Sequence, residues 1–480
     1  MYYAESVLYD AGYLTLDTDM GDRIMNMVQE SFLRWLHNQR NHERLNNYIV
    51  YDGYYNGDHE VDIPPKVKAA LGSELGTVCN YCRVVVDSAV DYICGGELGI
   101  EVKPTGNQDQ DAASEAEALL YSIYEANQLL YEEMLKSVTL MGKKGDVFLK
   151  LYMEDNEIKV RVLRPDICFP RYRSDDYKEM LYCAIKWFDE EETEDVSRGD
   201  LDSTRLKTQD GGKWKAQVFR PDVVEYYELD ETNETEYSEW KLIHVEENIL
   251  GFIPVIHIKN TVDDLEFGIS DLQVMTDLQD ALNKTVTDML LTMDNQAFQR
   301  VFIFGGQASK GQELSMEPGI ITEVPSESSR IEVVQAADIA PFIQATKEIV
   351  NQICAVSGIP ATAFSRPEGG PISGYALRLH YIPLERKCSK KKIILKNRFE
   401  ELNKMIFAAA KLLGTGDYTG FSTRIRFTGG LPIDEEAQMQ VHEMELRDKI
   451  KSRRTVMQER GIEDVKAEMA EIEAELTSDE

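Results

Sequence analysis

Basic charge is what this chain has least of relative to its opposite. Eighty-five acidic residues face 52 basic ones over 480 positions, for a net charge of −33. Such a balance argues against gripping nucleic acid over a broad basic surface. It leaves room for a like-charged wall that DNA slides past, since such a wall offers few sticking points. No apolar run approaches the roughly 18 residues that span a bilayer. The first residues, Met1-Tyr-Tyr-Ala-Glu-Ser6, carry neither a basic stretch nor an apolar core, so no signal peptide is expected. Cysteine is scarce: seven, an odd number, with only Cys79 and Cys82 close together. That usage suits a reducing compartment and argues against structural disulfides.

Catalytic signatures are also missing. Gly95-Gly96 and Gly305-Gly306 fit neither GxxxxGK[ST] nor a GxGxxG after a strand. His442-Glu443 has no second histidine at zincin spacing, and Ser373-Gly374 lacks the GxSxG frame. Cys79-Asn-Tyr-Cys82 is a lone CxxC. On a helix both sulfurs share a face, and without two further ligands core packing is the better reading than zinc. Paired carboxylates abound, but in so acidic a chain their pairing carries no specificity. No enzymatic activity, cofactor or metal is expected.

What is present is a well-punctuated α+β pattern, mainly helical. Hydrophobic content of 43% and charged content of 29% are those of a folded protein of two to four domains. Helical spacing marks Met25–Arg40, Leu75–Ile93 and Ala113–Leu140. In the second of these Val78, Cys82, Val85, Val86, Ala89, Val90 and Ile93 should face inward. Alternation then predicts a hairpin of Asp146–Tyr152 with Ile158–Leu163. Further strands are expected over Leu181–Phe188, Ala216–Tyr227, Glu239–Val245 and Phe252–Ile258. The acidic runs 189–195 and 228–236 read as solvated loop tips.

The most informative stretch is Asn248-Ile-Leu-Gly-Phe-Ile-Pro-Val-Ile-His-Ile-Lys-Asn260, followed by Glu266-Phe-Gly-Ile-Ser-Asp-Leu272. It reads as a buried strand, a turn and a helix start, with Ser270 and Gln273 spaced as a capping box. A long helix to about Arg300 follows. Ile269, Leu272, Met275, Leu278, Leu282, Val286, Met289 and Met293 form its apolar stripe. Short β-like pieces lie at Val301–Phe304 and Gly319–Val324. The next helix is punctuated by Pro341, Gly358 and Pro360. A loop, Ala361–Ile372, separates it from a helix capped by Ser373 and running to about Leu413, which Pro383 should kink. Two more helices, 434–447 and 454–474, flank the basic Lys449–Arg454.

One helix is basic in this acidic chain. It carries Arg378, Arg386, Lys387, Lys390, Lys391 and Lys392. It is either a DNA-facing ring or a surface that pairs with an acidic neighbouring subunit. Overall charge favours pairing.

The blocks Gly251–Leu272 and Val356-Ser-Gly-Ile-Pro360 with Ser373-Gly-Tyr-Ala-Leu377 resemble those of the portal proteins of tailed double-stranded DNA bacteriophages. So, more weakly, do Asn47–His59, Asn80–Gly96 and Gly145–Tyr152 with Arg164-Pro-Asp166, in the same order. The resemblance implies a ring of about a dozen copies at one capsid vertex. That ring would pass double-stranded DNA without sequence specificity during packaging and ejection. It implies a wing (1–267), a stem helix (268–300), a clip (301–339), a second stem helix (340–358), a tunnel loop with the long kinked helix (359–413) and a helical crown (414–480). Implied partners are the terminase, the major capsid or scaffold protein and a head-completion protein, with no membrane. Implied localisation is the virion, after assembly in the host bacterial cytoplasm. The implied DNA-facing loop residues are Phe364, Ser365, Arg366 and Glu368. Two other classes compete. One is a capsid or tail adaptor, which would need no such loop or kinked helix. The other is a metal-dependent hydrolase built on clustered carboxylates.

Overall fold

The computed structural model describes residues 39–63, 76–104, 110–190, 212–229, 240–261, 264–296, 300–304, 321–324, 330–334, 337–364, 374–427 and 435–459, with a few isolated positions besides. The helix expected at Met25–Arg40 lies almost wholly outside them. So does most of both acidic loops.

Helices α1 (Gln39–Asn56), α2 (Tyr81–Cys94), α3 (Gln110–Ala126) and α4 (Glu132–Lys144) lead into the hairpin β2 (Asp146–Glu154) and β3 (Glu157–Leu163). The expected hairpin forms, with Phe148 opposite Leu163 and Glu154 opposite Glu157, and its turn residues Asp155 and Asn156 both have positive φ, as a tight two-residue turn demands. β9 (Val255–Lys259) pairs with the other side of β2, giving the order β3-β2-β9. The faces of α2 behave as their spacing predicts, with Cys82, Val85, Val86, Ala89, Val90 and Ile93 buried. Its start does not. The helix begins at Tyr81, capped by Asn80, and Val78 is exposed.

The single helix expected over 113–140 is two. The break falls at Gln128, where φ is positive, and the Asn127 amide just before it serves the edge of β3: Nδ2 donates to the Ile158 carbonyl and Oδ1 accepts from Val160 N–H. Glu133 accepts from Val162 N–H in the same way. A strand edge otherwise left open is thereby closed by side chains.

An antiparallel sheet follows in the order β4-β5-β6-β7-β8. Its strands are β4 (Cys168–Arg173), β5 (Asp176–Glu190), β6 (Gly212–Phe219), β7 (Val223–Leu229) and β8 (Lys241–Glu247). The strand expected over 216–227 is broken into β6 and β7 by Arg220-Pro221-Asp222, where Arg220 N–H donates to the Val223 carbonyl. Arg44 of α1 locks this sheet to the helices. Its guanidinium is buried, donates to the Cys168 carbonyl at 3.0 Å and lies 4.3 Å over the Phe267 ring.

The long helix α5 runs from Thr276 to Gln296 and packs on α6 (Ala340–Ser357). Between them lie β10 (Arg300–Phe304), β11 (Ile321–Val324) and β12 (Arg330–Val334), in the order β11-β10-β12. The third of these strands has no counterpart in the sequence reading. α7 spans Gly374–Leu413 with Pro383 inside it, as expected. β13 (Ser422–Phe427) returns to pair antiparallel with β1 (Leu98–Lys103), a pairing the sequence did not announce. α8 (Glu435–Arg447) and α9 (Arg453–Glu459) complete the described chain. Among the described residues no helix is long and apolar enough to cross a membrane.

Candidate functional site

The block that dominates the sequence folds into a buried polar knot. Gly145 ends α4 at φ +88 and faces Gly268 backbone to backbone. A Cβ on Gly268 would sit 2.1 Å from the Gly145 carbonyl oxygen, so no side chain fits there. Asn260 N–H donates to that same carbonyl at 2.8 Å. Asp146 accepts from Gly268 N–H and His257 Nε2, each at 2.7 Å, and from the Tyr48 hydroxyl at 2.6 Å. The Tyr172 hydroxyl donates to His257 Nδ1. A neutral imidazole satisfies both partners, and burial, outweighing the Asp146 carboxylate, lowers its pKa. The chain Tyr172–His257–Asp146 has the outline of a relay. His257 and Asp146 are sealed inside the subunit, at 3% and 1% side-chain exposure, so it serves the fold rather than a substrate.

Ser270 is not the N-cap of a capping box. Its hydroxyl binds the Lys143 carbonyl at 2.5 Å and accepts from Leu272 N–H, and helix α5 starts six residues later. Beside it, Asp271 receives Lys391 Nζ at 2.5 Å and Lys387 Nζ at 3.4 Å. Asn260 joins them: its Oδ1 accepts from Lys391 at 2.6 Å and its Nδ2 donates to Asp271 at 3.1 Å. Burial alone would raise the Asp271 carboxyl, but Lys391, Lys387 and Asn260 together hold it below the ordinary carboxylate value. Burial lowers the Lys391 ammonium against the pull of Asp271.

The basic helix is therefore not one surface. Lys391 is 4% exposed and faces inward, so it is neither a DNA contact nor a partner for a neighbour. Lys387 is spent on Asp271 and on the Ser357 carbonyl at 3.1 Å. Lys392 lies over the Tyr92 ring at 5.2 Å. Only Arg378, Arg386 and Lys390 of the six stand exposed. The reason is helical spacing: 387 and 391 share a face, and that face meets the knot.

The buried side of α5 is also more polar than its apolar stripe suggests. Gln279, Asn283 and Thr287, spaced four apart, hold the extended segment Thr77–Tyr81 alongside the helix. Tyr81 N–H donates to Gln279 Oε1, Cys79 N–H to Asn283 Oδ1 and Thr77 N–H to Thr287 Oγ1, each at 3.0 Å. The match is geometric, since four helical residues rise about 6 Å and two extended residues about 6.6 Å. Gln279 Nε2 returns a bond to the Cys79 carbonyl at 2.6 Å, and Asn283 Nδ2 reaches His59 Nδ1 at 2.8 Å. Hydrophobic periodicity is blind to such a ladder.

The loop junction lies at the end of α6. Gly358 closes that helix at φ +72, with its N–H on the Cys354 carbonyl. Ser357 Oγ accepts from Ile359 N–H, and Ile359 is buried. Ala361–Ala363 form a single 3-10 turn, closed by Phe364 N–H on the Ala361 carbonyl. The Phe364 ring then stacks on Tyr81 with centroids 4.9 Å apart and planes at 30°. In the subunit it packs against the main core rather than projecting from it. Ser365, Arg366 and Glu368 lie outside the described residues.

Cys79 and Cys82 are free, and burial raises both thiols, Cys82 to about 12. That fits packing better than metal binding. Among the described residues no cluster of histidine, cysteine and carboxylate groups could hold a metal ion.

Comparison with known proteins now bears on the whole chain. A family described as "Phage portal protein, SPP1 Gp6-like" matches residues 36–480. The chain is also similar to the portal protein of Mycobacterium phage D29, at 24% identity over 192 residues. That alignment covers 37% of this chain and 38% of the relative, so the chain spans well under half of that relative's length. The family match takes in every element from α1 to α9, and with it this chain belongs to the SPP1 Gp6-like family of phage portal proteins.

Proposed function

We propose that this chain is one subunit of a ring of about a dozen copies at a single capsid vertex, closed by head-to-tail contacts. The ring forms the channel through which double-stranded DNA is packaged and ejected. The observation that carries the reading is the family match over residues 36–480. The arrangement of elements supports it. α5 and α6 are packed together and joined through a small sheet, as a two-helix stem and clip would be. The loop after α6 starts from an anchored turn and leads into the long helix that contains Pro383. Residues 1–267 would then be wing, 301–339 clip and 414–480 crown. Single-subunit exposure of Leu290, Met293, Ile343 and Val356 on α5 and α6 leaves apolar surface for neighbours to cover.

In this reading the protein is structural, and the packaging ATPase is a separate terminase that docks at the clip. A capsid or scaffold protein contacts the wing, and a head-completion protein follows the terminase. The subunit is assembled in the host bacterial cytoplasm and ends in the virion. The loop 361–372 faces the DNA, with Arg366 within reach of phosphate and Ser365 and Glu368 beside it. Exposed Arg378, Arg386 and Lys390 are left to pair with acidic neighbours.

The test replaces Thr362–Gly369 with a Gly-Ser linker. Rings with a central channel should still be seen by electron microscopy, and DNA-filled heads should become scarce. Unchanged packaging would remove the loop from the mechanism, and monomers or dimers alone at every salt concentration would sink the ring.

A further inference from the structure

We infer that Phe364 and Tyr81 form the fixed anchor of the DNA-facing loop, so that Phe364 positions the loop and is not itself a DNA contact. The inference rests on the reading of residues 361–372 as that loop, and it assigns Phe364 a different task within it.

The geometry supplies a rigid partner. Tyr81 opens helix α2, directly after its capping residue Asn80. The Asn80 amide donates to the Tyr55 carbonyl of α1 at 2.9 Å, and Tyr81 N–H is held by Gln279 of α5. The backbone that carries the ring Phe364 meets is thus tied by hydrogen bonds to two other helices. On the other side, the chain from Ser357 to Phe364 is pinned in succession. Lys387 holds the Ser357 carbonyl, Ile359 is buried, the 3-10 turn closes on itself, and the Phe364 ring is stacked. No such contact would be needed by a side chain whose task is to meet DNA. A partly buried aromatic ring offset-stacked on a second one is a good fastening, because both rings have few rotamers to lose.

The fastening sets reach. Between Phe364 and the start of α7 at Gly374 lie the nine positions 365–373. At about 3.5 Å per extended residue, such a stretch can extend about 15 Å out and back. Releasing 361–364 would let it extend about 7 Å further. An anchored loop therefore has a shorter maximum reach than an unfastened one.

The test compares Phe364→Ala, Tyr81→Ala, their combination and Tyr81→Phe in the full chain, counting DNA-filled heads per assembled ring. Each truncation is expected to lower filling to a similar extent, about twofold to tenfold, the range that one aromatic pair supplies. The double variant should fall no further than the poorer single one, because both remove the same contact. Tyr81→Phe keeps the stack and should fill as the unaltered protein does. Where an alanine variant fails to form rings, Phe364→Leu or Tyr81→Leu takes its place, keeping apolar volume without the stack. A second readout uses a benzophenone photo-crosslinker in filled heads: placed at Arg366 it should label DNA, and placed at Phe364 it should label protein. DNA labelling from position 364, additive losses, or a defect in Phe364→Ala with normal filling in Tyr81→Ala overturns the inference. If the Gly-Ser replacement of 362–369 also leaves filling unchanged, the loop reading itself fails. If that replacement abolishes filling while the Tyr81 variants are silent, only the anchor fails.

Discussion

Two stretches of this protein look alike in the sequence, as short motifs that each turn on a single glycine, and they are built on opposite terms. The block from Val255 to Asp271 forms a knot around Asp146 in which His257, Asn260 and Ser270 are buried. Two glycine backbones touch, one carboxylate accepts three hydrogen bonds, and a lysine pairs with an aspartate out of water. The junction from Ser357 to Phe364 instead ends in a single aromatic stack at the margin of the core. The difference teaches that motif strength follows packing constraint. Many mutually dependent contacts restrict residue identity at every position, whereas a chain that must leave the body needs only one good fastening. The more recognisable motif is the scaffold, and the loop we propose to face DNA is carried by the weaker one.

The sharpest way to break this comparison is Gly268→Ala. A methyl group 2.1 Å from the Gly145 carbonyl cannot be absorbed by a flexible side chain. The expected loss is at least about 4 kcal/mol, seen as insoluble protein or a collapsed thermal transition. Next comes Lys391→Met, which leaves Asp271 buried with only the more distant Lys387. A loss of about 3–5 kcal/mol is expected in denaturant unfolding, and adding Asp271→Leu should recover much of it, because the paired change leaves no lone buried charge. Recovery no better than the single variant would mean that the pair contributes more than its charge balance.

His257 sharpens the same contrast through pH. Its folded pKa lies below the ordinary value of 6.5, because burial outweighs the pull of Asp146. The unfolded chain therefore binds this proton more readily than the folded one. Stability from this group is complete above about 6.5 and falls as pH drops below that, down to the depressed folded value. His257→Gln should flatten that part of the stability curve relative to the unaltered protein. The smallest effect is expected at the junction. Phe364→Leu should cost about 1 kcal/mol or less in thermal unfolding, however strongly it alters DNA filling. A loss as large as that of Lys391→Met would place Phe364 in the scaffold after all.

Much of the architecture was legible because it is local. Alternation located the hairpin from 146 to 163, period 3.6 located the inward face of α2, and Pro341, Gly358 and Pro383 marked their helices. What escaped is what depends on partners far along the chain. β1 finds β13 across more than three hundred residues, and neither strand is distinctive alone. The helix expected over 113–140 breaks at Gln128, beside an Asn127 whose amide is taken up by β3.

Of the site, the sequence picked out the block around Gly268-Ile-Ser-Asp271, the loop and the basic helix, and it could do so because composition and spacing are properties of neighbours. Their roles were a matter for the tertiary structure alone. Lys390 and Lys391 are adjacent and chemically identical, yet one is exposed and the other is buried on Asp271. Gln279 and Asn283 lie outside the apolar stripe read from the sequence and turn out to hold a strap. Phe364 reads as a loop tip and turns out to be fastened to Tyr81. The physical reason is common to all three. A side chain's charge and shape are fixed by its own chemistry, but whether it meets water, a carboxylate or another ring depends on which distant segment the fold brings against it.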